Sequence, residues 1–415
     1  MTWPSTRLTE ACLPVAKMDP VLTGRREVRY VDIGGIDGER HALTEVPWIA
    51  SEGAPSRCRQ VLRGGDTVFS TVRPYLEKIA YIDGNLDGEF ASTGFCVLRP
   101  SEAVEPRFLY YFASSPGLID QVLPKQKGVS YPAVLEREVK ACSIPLPDVQ
   151  EQRRIVSILE EHLSDLDDAA AGLRGAGAKS TAMVAAARRT AVERGAEVGE
   201  QTTVGQRAIL VEYGTSHKAH EDPGEGDIPV LRMGNVQDGR IEFAPLKYLS
   251  PAAPGVRNLL LKRGDLLFNR TNSAELVGKS AVFEADIEAT FASYLIRVRF
   301  NSSVRPEWAN IVVNSPQGRA YITAIASQQV GQANVNGTKL KAFPLPVPSL
   351  TDQDEFIQSF REFESAAERL RAQTSRSLAR TASLRRALLA AAFSDRLTGR
   401  SSDTEVISEL AEDPA

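Results

Sequence analysis

Apolar residues recur at three- and four-residue spacing over two long stretches of the chain, which predicts two long amphipathic helices. The first stretch, residues 148–195, follows the prolines Pro145 and Pro147, and Asp148 can cap its first free N–H groups. At 1.5 Å per residue, about 46 residues would make a helix on the order of 70 Å long, more than a small domain needs for its own core. The first apolar stripe is formed by Ile155, Leu159, Leu163 and Leu166.

The second stretch, residues 349–396, begins in the same way as the first. Pro346 and Pro348 precede it, and a glutamine follows each pair of prolines, Gln152 in the first stretch and Gln353 in the second. Because both helices carry an apolar stripe along one face, we expect the two stripes to bury each other.

Shorter apolar runs bounded by glycine, aspartate or proline predict strands in the rest of the chain. Residues 1–147 contain several such runs, at 28–33, 67–70, 78–82 and 94–98, and then a short helix that begins at a proline. Residues 196–348 repeat this order at offsets of 199–201: Gly65-Asp66 corresponds to Gly264-Asp265, and Lys78 to Lys279. Ordered matches of this kind predict an internal duplication, and a period this long excludes a solenoid, whose repeats run roughly 20–50 residues.

The predicted fold class is therefore α+β, with two similar mixed α/β domains, residues 1–147 and 196–348. Two long antiparallel helices separate them as a coiled coil, and the duplication gives the chain a pseudo-twofold relation. Residues 397–415 are acidic and lack a strong apolar pattern, which predicts a disordered tail. Two similar domains at a fixed separation suit a ligand with two sites on one rigid axis, and duplex DNA is such a ligand.

Composition adds few constraints. The chain is 42% hydrophobic and 25% charged, as is ordinary for globular proteins, and its net charge of −4 is no global sign of nucleic-acid binding. No signal-peptide pattern and no apolar run of membrane-spanning length are present, so we expect a cytoplasmic protein without a membrane span. The cysteines lack C-x-x-C spacing, which favours reduced thiols over disulfides or a zinc site: Cys12, Cys58, Cys96 and Cys142.

Motifs for catalysis are missing from the sequence. There is no phosphate-binding loop, no dinucleotide-binding glycine motif, no nucleophile elbow and no Asn-Pro-Pro-Tyr segment. His217 and His220 have the spacing of two metal ligands, but they lie in a loop rich in glycine and acidic residues, so we interpret them as loop residues. Asp66 and Asp265 each follow a glycine before a strand, as turn aspartates do.

Polar side chains suited to base edges and phosphates cluster after corresponding strands. Arginine pairs with guanine and asparagine or glutamine with adenine, whereas lysine, serine and threonine contact phosphates. In the first domain the predicted DNA-binding residues are Thr71, Arg73, Tyr75, Lys78, Ser92, Thr93, Lys127, Ser130 and Tyr131. In the second domain they are Tyr213, Thr215, Ser216, Lys218, Arg232, Asn235, Asn269, Arg270, Asn272, Lys279, Ser293, Tyr294, Gln332, Asn334 and Asn336.

Several segments together resemble the specificity subunits of type I restriction-modification enzymes, and the resemblance extends over residues 1–396. The segments are specific as a set and weak singly. In the first half they are residues 144–147 with 151–156, residues 65–76 and residues 91–95; in the second half they are residues 213–216, 264–273 and 291–297.

The resemblance implies that the two domains are target recognition domains, each of which binds one half of a bipartite DNA sequence. It also implies that the helices set the gap between the halves and dock two modification subunits, for which Gln152, Arg153 and Gln353 are the predicted docking residues. S-adenosylmethionine, ATP and Mg²⁺ are then expected on partner subunits, the last two with restriction subunits that translocate DNA. The chain departs from the family pattern at Gly172, Gly175 and Gly177, and at the second helix start, Thr351-Asp352-Gln353.

The leading hypothesis is a non-catalytic, sequence-specific DNA-binding subunit. One alternative is a coiled-coil adaptor that never contacts DNA, and binding to random DNA that weakens with salt would discriminate against it. Another is a methyltransferase with a degenerate site, which S-adenosylmethionine binding by the isolated chain would support.

Overall fold

The structure, a computed structural model, describes residues 3–128, 130–273, 276–329, 332–394, 396–397 and 402–412. It divides into two compact units. Unit 1 comprises residues 1–173 together with 375–415, and unit 2 comprises residues 174–374.

The first half of the chain contains a series of short strands and helices followed by one very long helix. The elements are β1 (Ser5–Arg7), α1 (Leu8–Ala11), β2 (Cys12–Leu13), β3 (Glu27–Val31), β4 (Ile36–Asp37), β5 (Ala42–Leu43), β6 (Trp48–Ala50), β7 (Cys58–Val61), β8 (Thr67–Ser70), β9 (Ile79–Tyr81), β10 (Phe90–Ser92), β11 (Phe95–Pro100), α2 (Pro106–Ala113), α3 (Pro116–Val122), α4 (Glu136–Lys140), β12 (Ser143–Pro145) and α5 (Val149–Val198).

The second half follows the same plan and ends on a further helix. Its elements are β13 (Glu200–Thr203), α6 (Val204–Arg207), β14 (Ala208–Tyr213), β15 (Ile228–Leu231), β16 (Val236–Gln237), β17 (Arg240–Ile241), β18 (Lys247–Leu249), β19 (Leu266–Asn269), β20 (Thr271–Asn272), β21 (Ser280–Val282), β22 (Thr290–Phe291), β23 (Leu295–Phe300), α7 (Pro306–Asn314), α8 (Pro316–Ile325), β24 (Ser327–Gln329), β25 (Gln332–Asn334), α9 (Gly337–Lys341), β26 (Pro344–Val347), α10 (Leu350–Ala392) and α11 (Ser402–Glu412).

The sheets of the two units share one topology, which confirms the predicted duplication. Unit 1 has an antiparallel sheet in the order β2-β11-β8-β9, and unit 2 has its counterpart in the order β14-β23-β19-β21. A second sheet contains the parallel pair β3–β10 in unit 1 and β15–β22 in unit 2. The first strand of each half pairs with the strand before the long helix, as β1–β12 and β13–β26. Unit 2 adds a three-stranded sheet, β20-β25-β24.

A buried ion pair repeats in the turn before the central strand of each unit. Gly65 and Gly264 adopt φ angles of 93° and 89°, which glycine tolerates best, and the following aspartate turns inwards. Asp66 accepts from the N–H of Arg63 and pairs with Arg99 at 2.7 Å, and both side chains are buried. Asp265 accepts from the N–H of Lys262 and pairs with Arg299 at 2.7 Å; here the aspartate is fully buried and the arginine is partly exposed. The prediction that these are turn aspartates is confirmed, and burial adds an ion pair that the sequence did not indicate.

Both long helices are confirmed, and the first begins with the predicted cap. Asp148 accepts a hydrogen bond from the N–H of Glu151 at 2.9 Å, and Ser349 accepts one from the N–H of Asp352 at 3.2 Å. Within unit 1, Arg385 donates to Asp167. Within unit 2, Ser180 donates to the carbonyl of Ala367, and Arg188 donates to Glu364. In unit 2, the residue farther along α5 contacts the residue that comes earlier in α10, so the two helix segments there are antiparallel.

Each unit buries a helix stripe in its own core. In unit 1 the predicted stripe residues Ile155, Leu159 and Leu163 are buried with Leu388 and Leu389 of α10. Phe393 packs edge-on against Phe108 and Phe112 of α2 in the same core. In unit 2, Val184 and Val192 of α5 share a core with Ile357 and Phe360 of α10, and Trp308 is fully buried there. Burial of aromatic rings on this scale supplies a large share of the packing energy.

One expectation for the C-terminus is wrong. The sequence predicts a disordered tail over residues 397–415, but residues 402–412 form α11. Leu410 is buried in the unit 1 core, Val406 and Ile407 pack against it, and Arg396 pairs with Glu409 at 2.9 Å. These apolar residues are too few for a helix that is stable alone, so tertiary contact decides their structure.

No helix within the described part of the chain is long and apolar enough to span a membrane.

Candidate nucleic-acid interface

The segments that leave β8 and β19 are held by the same backbone hydrogen bonds in both units. Thr71 donates its N–H to the carbonyl of Gly94 at 2.9 Å, and its own carbonyl accepts from Val134 at 2.9 Å. Arg270 occupies the equivalent place in unit 2, where its N–H donates to Tyr294 at 2.9 Å and its carbonyl accepts from Val335 at 2.8 Å. Each unit therefore presents a fixed loop at the end of its central strand.

In unit 2 this loop carries an arginine stacked on a tyrosine. The guanidinium carbon of Arg270 lies 4.8 Å from the centre of the Tyr213 ring, and we call this pair the Arg270–Tyr213 stack. The Tyr213 hydroxyl accepts a hydrogen bond from the N–H of Gly337 at 2.8 Å, and its backbone pairs with β23. The ring is thus fixed at both ends, although 43% of Tyr213 is exposed.

Unit 1 forms a similar stack from different elements, which we call the Arg73–Tyr131 stack. The guanidinium carbon of Arg73 lies 4.9 Å from the ring centre of Tyr131. Arg73 has a φ of 48°, a left-handed conformation that is uncommon outside glycine, and its N–H donates to the carbonyl of Pro132 at 2.7 Å. Strained backbone of this kind is concentrated at functional sites.

Charge distinguishes these two arginines from several arginines of unit 2. Within the described residues no carboxylate pairs with Arg73 or Arg270. In unit 2, many other arginines are neutralised by carboxylates: Arg188 and Arg240 by Glu364, Arg297 and Arg299 by Asp265, Arg305 by Asp354, and Arg361 by Glu284. An arginine without an acidic partner keeps its donors for an external acceptor.

Other predicted residues lie at the surface and stay candidates for contact with DNA. The exposed ones are Tyr75, Thr93, Lys127, Ser130, Tyr131, Tyr213, Ser216, Lys218, Tyr294 and Asn336. Partly buried are Arg73, Lys78, Arg232, Arg270, Lys279, Ser293 and Asn334. Some are already engaged: Lys127 lies 3.5 Å from Glu138, Lys78 donates to the carbonyl of Ile36, and Lys279 donates to Gln237 and Asp238.

Two of the predicted asparagines form hydrogen bonds within unit 2. Asn336 caps α9 by accepting from the N–H of Lys339, and Asn334 donates to the hydroxyl of Thr271 at 2.8 Å. The backbones of Asn272 and Gln332 lie in β20 and β25, and their side chains lie outside what the structure describes.

Five predicted contact residues are buried and form hydrogen bonds within their own unit, and their contact with DNA stays a prediction. The hydroxyl of Thr71 donates to Gly94, and that of Ser92 accepts from the N–H of Gly94. Thr215 accepts from the N–H of His217, Asn235 donates to the carbonyls of Glu242 and Pro245, and Asn269 donates to Leu276. Polar residues at strand ends also satisfy backbone groups where pairing stops, and sequence alone does not separate that role from ligand binding.

The predicted docking glutamines are also buried and have a structural role. The side-chain oxygen of Gln152 accepts from the N–H of Glu105, and its amide donates to the carbonyls of Ala103 and Pro147. Gln353 repeats this pattern with Arg305, Ser303 and Pro348. Each glutamine joins the start of a long helix to its own domain by hydrogen bonds, and a docking contact of these glutamines stays a prediction. Arg153 is exposed and stays a docking prediction.

An exposed aromatic residue in unit 1 was not singled out from the sequence. Trp48 begins the edge strand β6, is 59% exposed and lies opposite Arg29 in the register. A tryptophan that begins an apolar run directly after a proline was the available signal. Exposed aromatic rings next to arginine are suited to contact sugars or bases.

The chemistry for catalysis or metal binding is limited in the described residues. None of their histidine, cysteine and acidic side chains form a group of three or more suited to hold a metal ion. His217 contacts the carbonyl of Pro254, and His220 contacts Asp227. The four cysteines are free thiols, and burial raises the pKa of Cys12 to about 12 and that of Cys58 to about 11, which keeps both protonated at neutral pH.

Comparison with known proteins finds similarity to one family. Residues 27–170 match the family described as type I restriction modification DNA specificity domain. The chain is 25% identical over 336 residues to the EcoKI specificity subunit of Escherichia coli K12, covering 76% of this chain and 71% of that protein. It is 24% identical over 319 residues to the StySPI specificity subunit of Salmonella potsdam, covering 74% and 69%.

The chain is similar to the family of type I restriction enzyme specificity subunits. Solved structures of the family agree with the fold. A chain from a study of complex assembly and conformational transition of the type I restriction-modification system superposes with a TM-score of 0.78 at 26% identity, covering 95% of this chain and 98% of that one. The HsdS subunit of Thermoanaerobacter tengcongensis gives a TM-score of 0.53 at 26% identity, covering 95% and 97%. DNA sequence recognition is the standard role of this family.

Proposed function

We propose that this specificity subunit recognises a bipartite sequence in double-stranded DNA, with one half bound by each unit. The observation that carries the proposal is the unpaired arginine stacked on a tyrosine beside the central strand of each unit. A cation without an acidic partner, beside exposed aromatic and hydroxyl side chains, suits a polyanion whose base edges accept hydrogen bonds. The duplicated topology supports two similar binding sites in one chain.

The same proposal gives the chain no catalytic step of its own. S-adenosylmethionine would bind to two modification subunits, and ATP with Mg²⁺ to restriction subunits. Support comes from the sequence, which lacks nucleotide-binding motifs, and from the described side chains, which do not converge on a metal ion. The exposed Arg153 near the start of α5 is a candidate for contact with a modification subunit.

Methylome sequencing tests this function. A host that expresses the chain with its modification partner is expected to methylate adenine in a two-part motif, and a host that expresses the partner alone is not. Binding of the purified complex to random DNA should also fall steeply with salt, since phosphate contacts release counterions. A salt-independent complex without any motif would instead support a coiled-coil adaptor.

A deletion in both long helices is expected to shorten the gap between the half-sites. Both α5 and α10 contribute residues to unit 1 and to unit 2. Removing residues 171–177 and 372–378 takes seven residues from each helix and preserves the register of the apolar stripe. Seven residues correspond to about 10 Å, or roughly three base pairs of duplex.

The gap is measured by methylome sequencing of the deletion variant. As a control, seven alanines in place of residues 171–177 keep the helix length and should leave the gap unchanged, because alanine favours helix. An unaltered gap in the deletion variant would contradict the proposed spacing role.

A further inference from the structure

The terminal nitrogens of Arg270 are the donors that its surroundings leave available. The Nε atom is buried without a hydrogen-bond partner, and one face of the guanidinium lies on the Tyr213 ring. One terminal nitrogen lies 3.5 Å from the carbonyl oxygen of Ser293, at the limit of a hydrogen bond. The planar group is therefore oriented by its neighbours and offers its end to a ligand.

Arg73 has the same arrangement in unit 1. Its Nε atom is also buried without a hydrogen-bond partner, and its guanidinium also lies on a tyrosine ring. The backbone at Arg73 is fixed by the hydrogen bond to Pro132 and by Pro74, which follows it. Two units thus reach one arrangement from non-equivalent residues, since Arg73 lies two positions beyond the residue that corresponds to Arg270.

The chemistry of this arrangement favours one acceptor. Two terminal nitrogens of a guanidinium held in a fixed plane match a pair of acceptors in that plane, and in the major groove the O6 and N7 atoms of guanine form such a pair. A phosphate also accepts two hydrogen bonds, but a mobile surface arginine or lysine is sufficient for it. The stacked tyrosine restricts rotation of the guanidinium, which a contact to one base requires.

We propose that each half of the DNA target contains a guanine whose major-groove edge is bound end-on, by Arg270 in one half and by Arg73 in the other. This inference rests on the proposed DNA-binding function. It adds the identity of one base in each half-site and gives Tyr213 and Tyr131 the role of positioning residues.

The test is binding of the purified complex of this chain with its modification partner to duplexes that carry its own methylation motif. Replacing the critical guanine by 7-deazaguanine removes the N7 acceptor and is expected to weaken binding about tenfold. Inosine at the same position keeps O6 and N7 and loses only the minor-groove amino group, so it should bind as guanine does.

Variants of Arg270 assign the contact. In Arg270→Lys the charge remains and the planar fork is lost, so the 7-deazaguanine effect in the second half-site should become smaller. The effect in the other half-site should persist, and Arg73→Lys should give the reverse pattern. Arg263→Ala, which removes an exposed arginine paired with Asp286 in unit 2, is the matched control and should retain both effects.

The positioning role of Tyr213 has its own readout. Tyr213→Phe keeps the ring and should retain most of the difference between guanine and 7-deazaguanine, whereas Tyr213→Ala should reduce it. The salt dependence of binding should change little in both variants, because no phosphate contact is removed.

The inference is overturned if a bound motif lacks guanine in one half, or if 7-deazaguanine has no effect at any guanine. It is also overturned if Arg270→Lys keeps the full effect, as a phosphate contact would. In these cases the chain still binds its motif, so the proposed function survives. If the complex binds no sequence above random DNA, both proposals fail.

Discussion

Replacing residues 1–147 by the corresponding segment of another specificity subunit is expected to change one half of the DNA target and leave the other half intact. Unit 1 has its own core, its own sheets and its own stacked arginine, so its contacts with DNA should transfer with the segment. The affinity of such proteins for a specific site exceeds their affinity for non-specific DNA by a factor of roughly 10³–10⁷. When one half-site is no longer recognised, the affinity for the original target should lose most of that factor.

The structure defines the boundaries of this exchange. Strand β1 pairs with β12, so both must come from the same donor. The donor should also carry large apolar residues at the positions of Phe108 and Phe112, because both rings pack against Phe393 of the retained chain. The methylated motif of the hybrid, determined by methylome sequencing, measures the outcome.

The reciprocal exchange serves as the control. Replacing residues 200–347, which contain β13 and its partner β26, should change the other half of the motif and preserve the first. A hybrid that changes both halves together, or neither, would show that the units do not bind DNA independently.

Substitution of Asp265 by alanine is expected to destabilise unit 2 by roughly 3–5 kcal/mol, as removal of one partner of a buried ion pair does. The Asp265 side chain is fully buried and accepts hydrogen bonds from the Nε and Nη2 atoms of Arg299 at 2.7 and 2.8 Å. Arg297, which is also buried, lies 3.4 Å away, and the N–H of Lys262 donates to the same carboxylate. The substitution leaves this cluster of positive charge without its central anion.

Tryptophan fluorescence can report the unfolding of unit 2 separately from that of unit 1. The chain contains three tryptophans, and Trp308 is the one in unit 2. In a background with Trp3→Phe and Trp48→Phe, urea unfolding followed by Trp308 reports the transition of unit 2, and Asp265→Ala should lower its midpoint.

The control for Asp265 is Asp286→Ala, which removes a carboxylate 3.6 Å from Arg263 in an exposed pair. Exposed pairs contribute little, so a change within about 0.5 kcal/mol is expected. Equal destabilisation by the two substitutions would contradict the structural role that we assign to Asp265.

The polar residues at the strand ends have similar sequence signals but different burial. Arg270 and Asn269 are neighbours with similar sequence signals, yet Arg270 lies partly exposed over Tyr213, and Asn269 is buried and donates to Leu276. Strand periodicity places alternate side chains on opposite faces but does not say which face solvent reaches. The same uncertainty separates Gln152, which is buried, from its exposed neighbour Arg153.

The sequence by itself determined the duplication, the two long helices, the cap of the first of them, and the turns before β8 and β19. These features depend on the local spacing of apolar residues, on capping residues and on the backbone freedom of glycine, and all three can be read from the amino-acid sequence. Only the tertiary structure decided which polar residues stay at the surface, which arginines lack an acidic partner, and that residues 402–412 form a helix. Those properties depend on contacts between residues far apart in the chain, where burial and pairing of charge outweigh local preference.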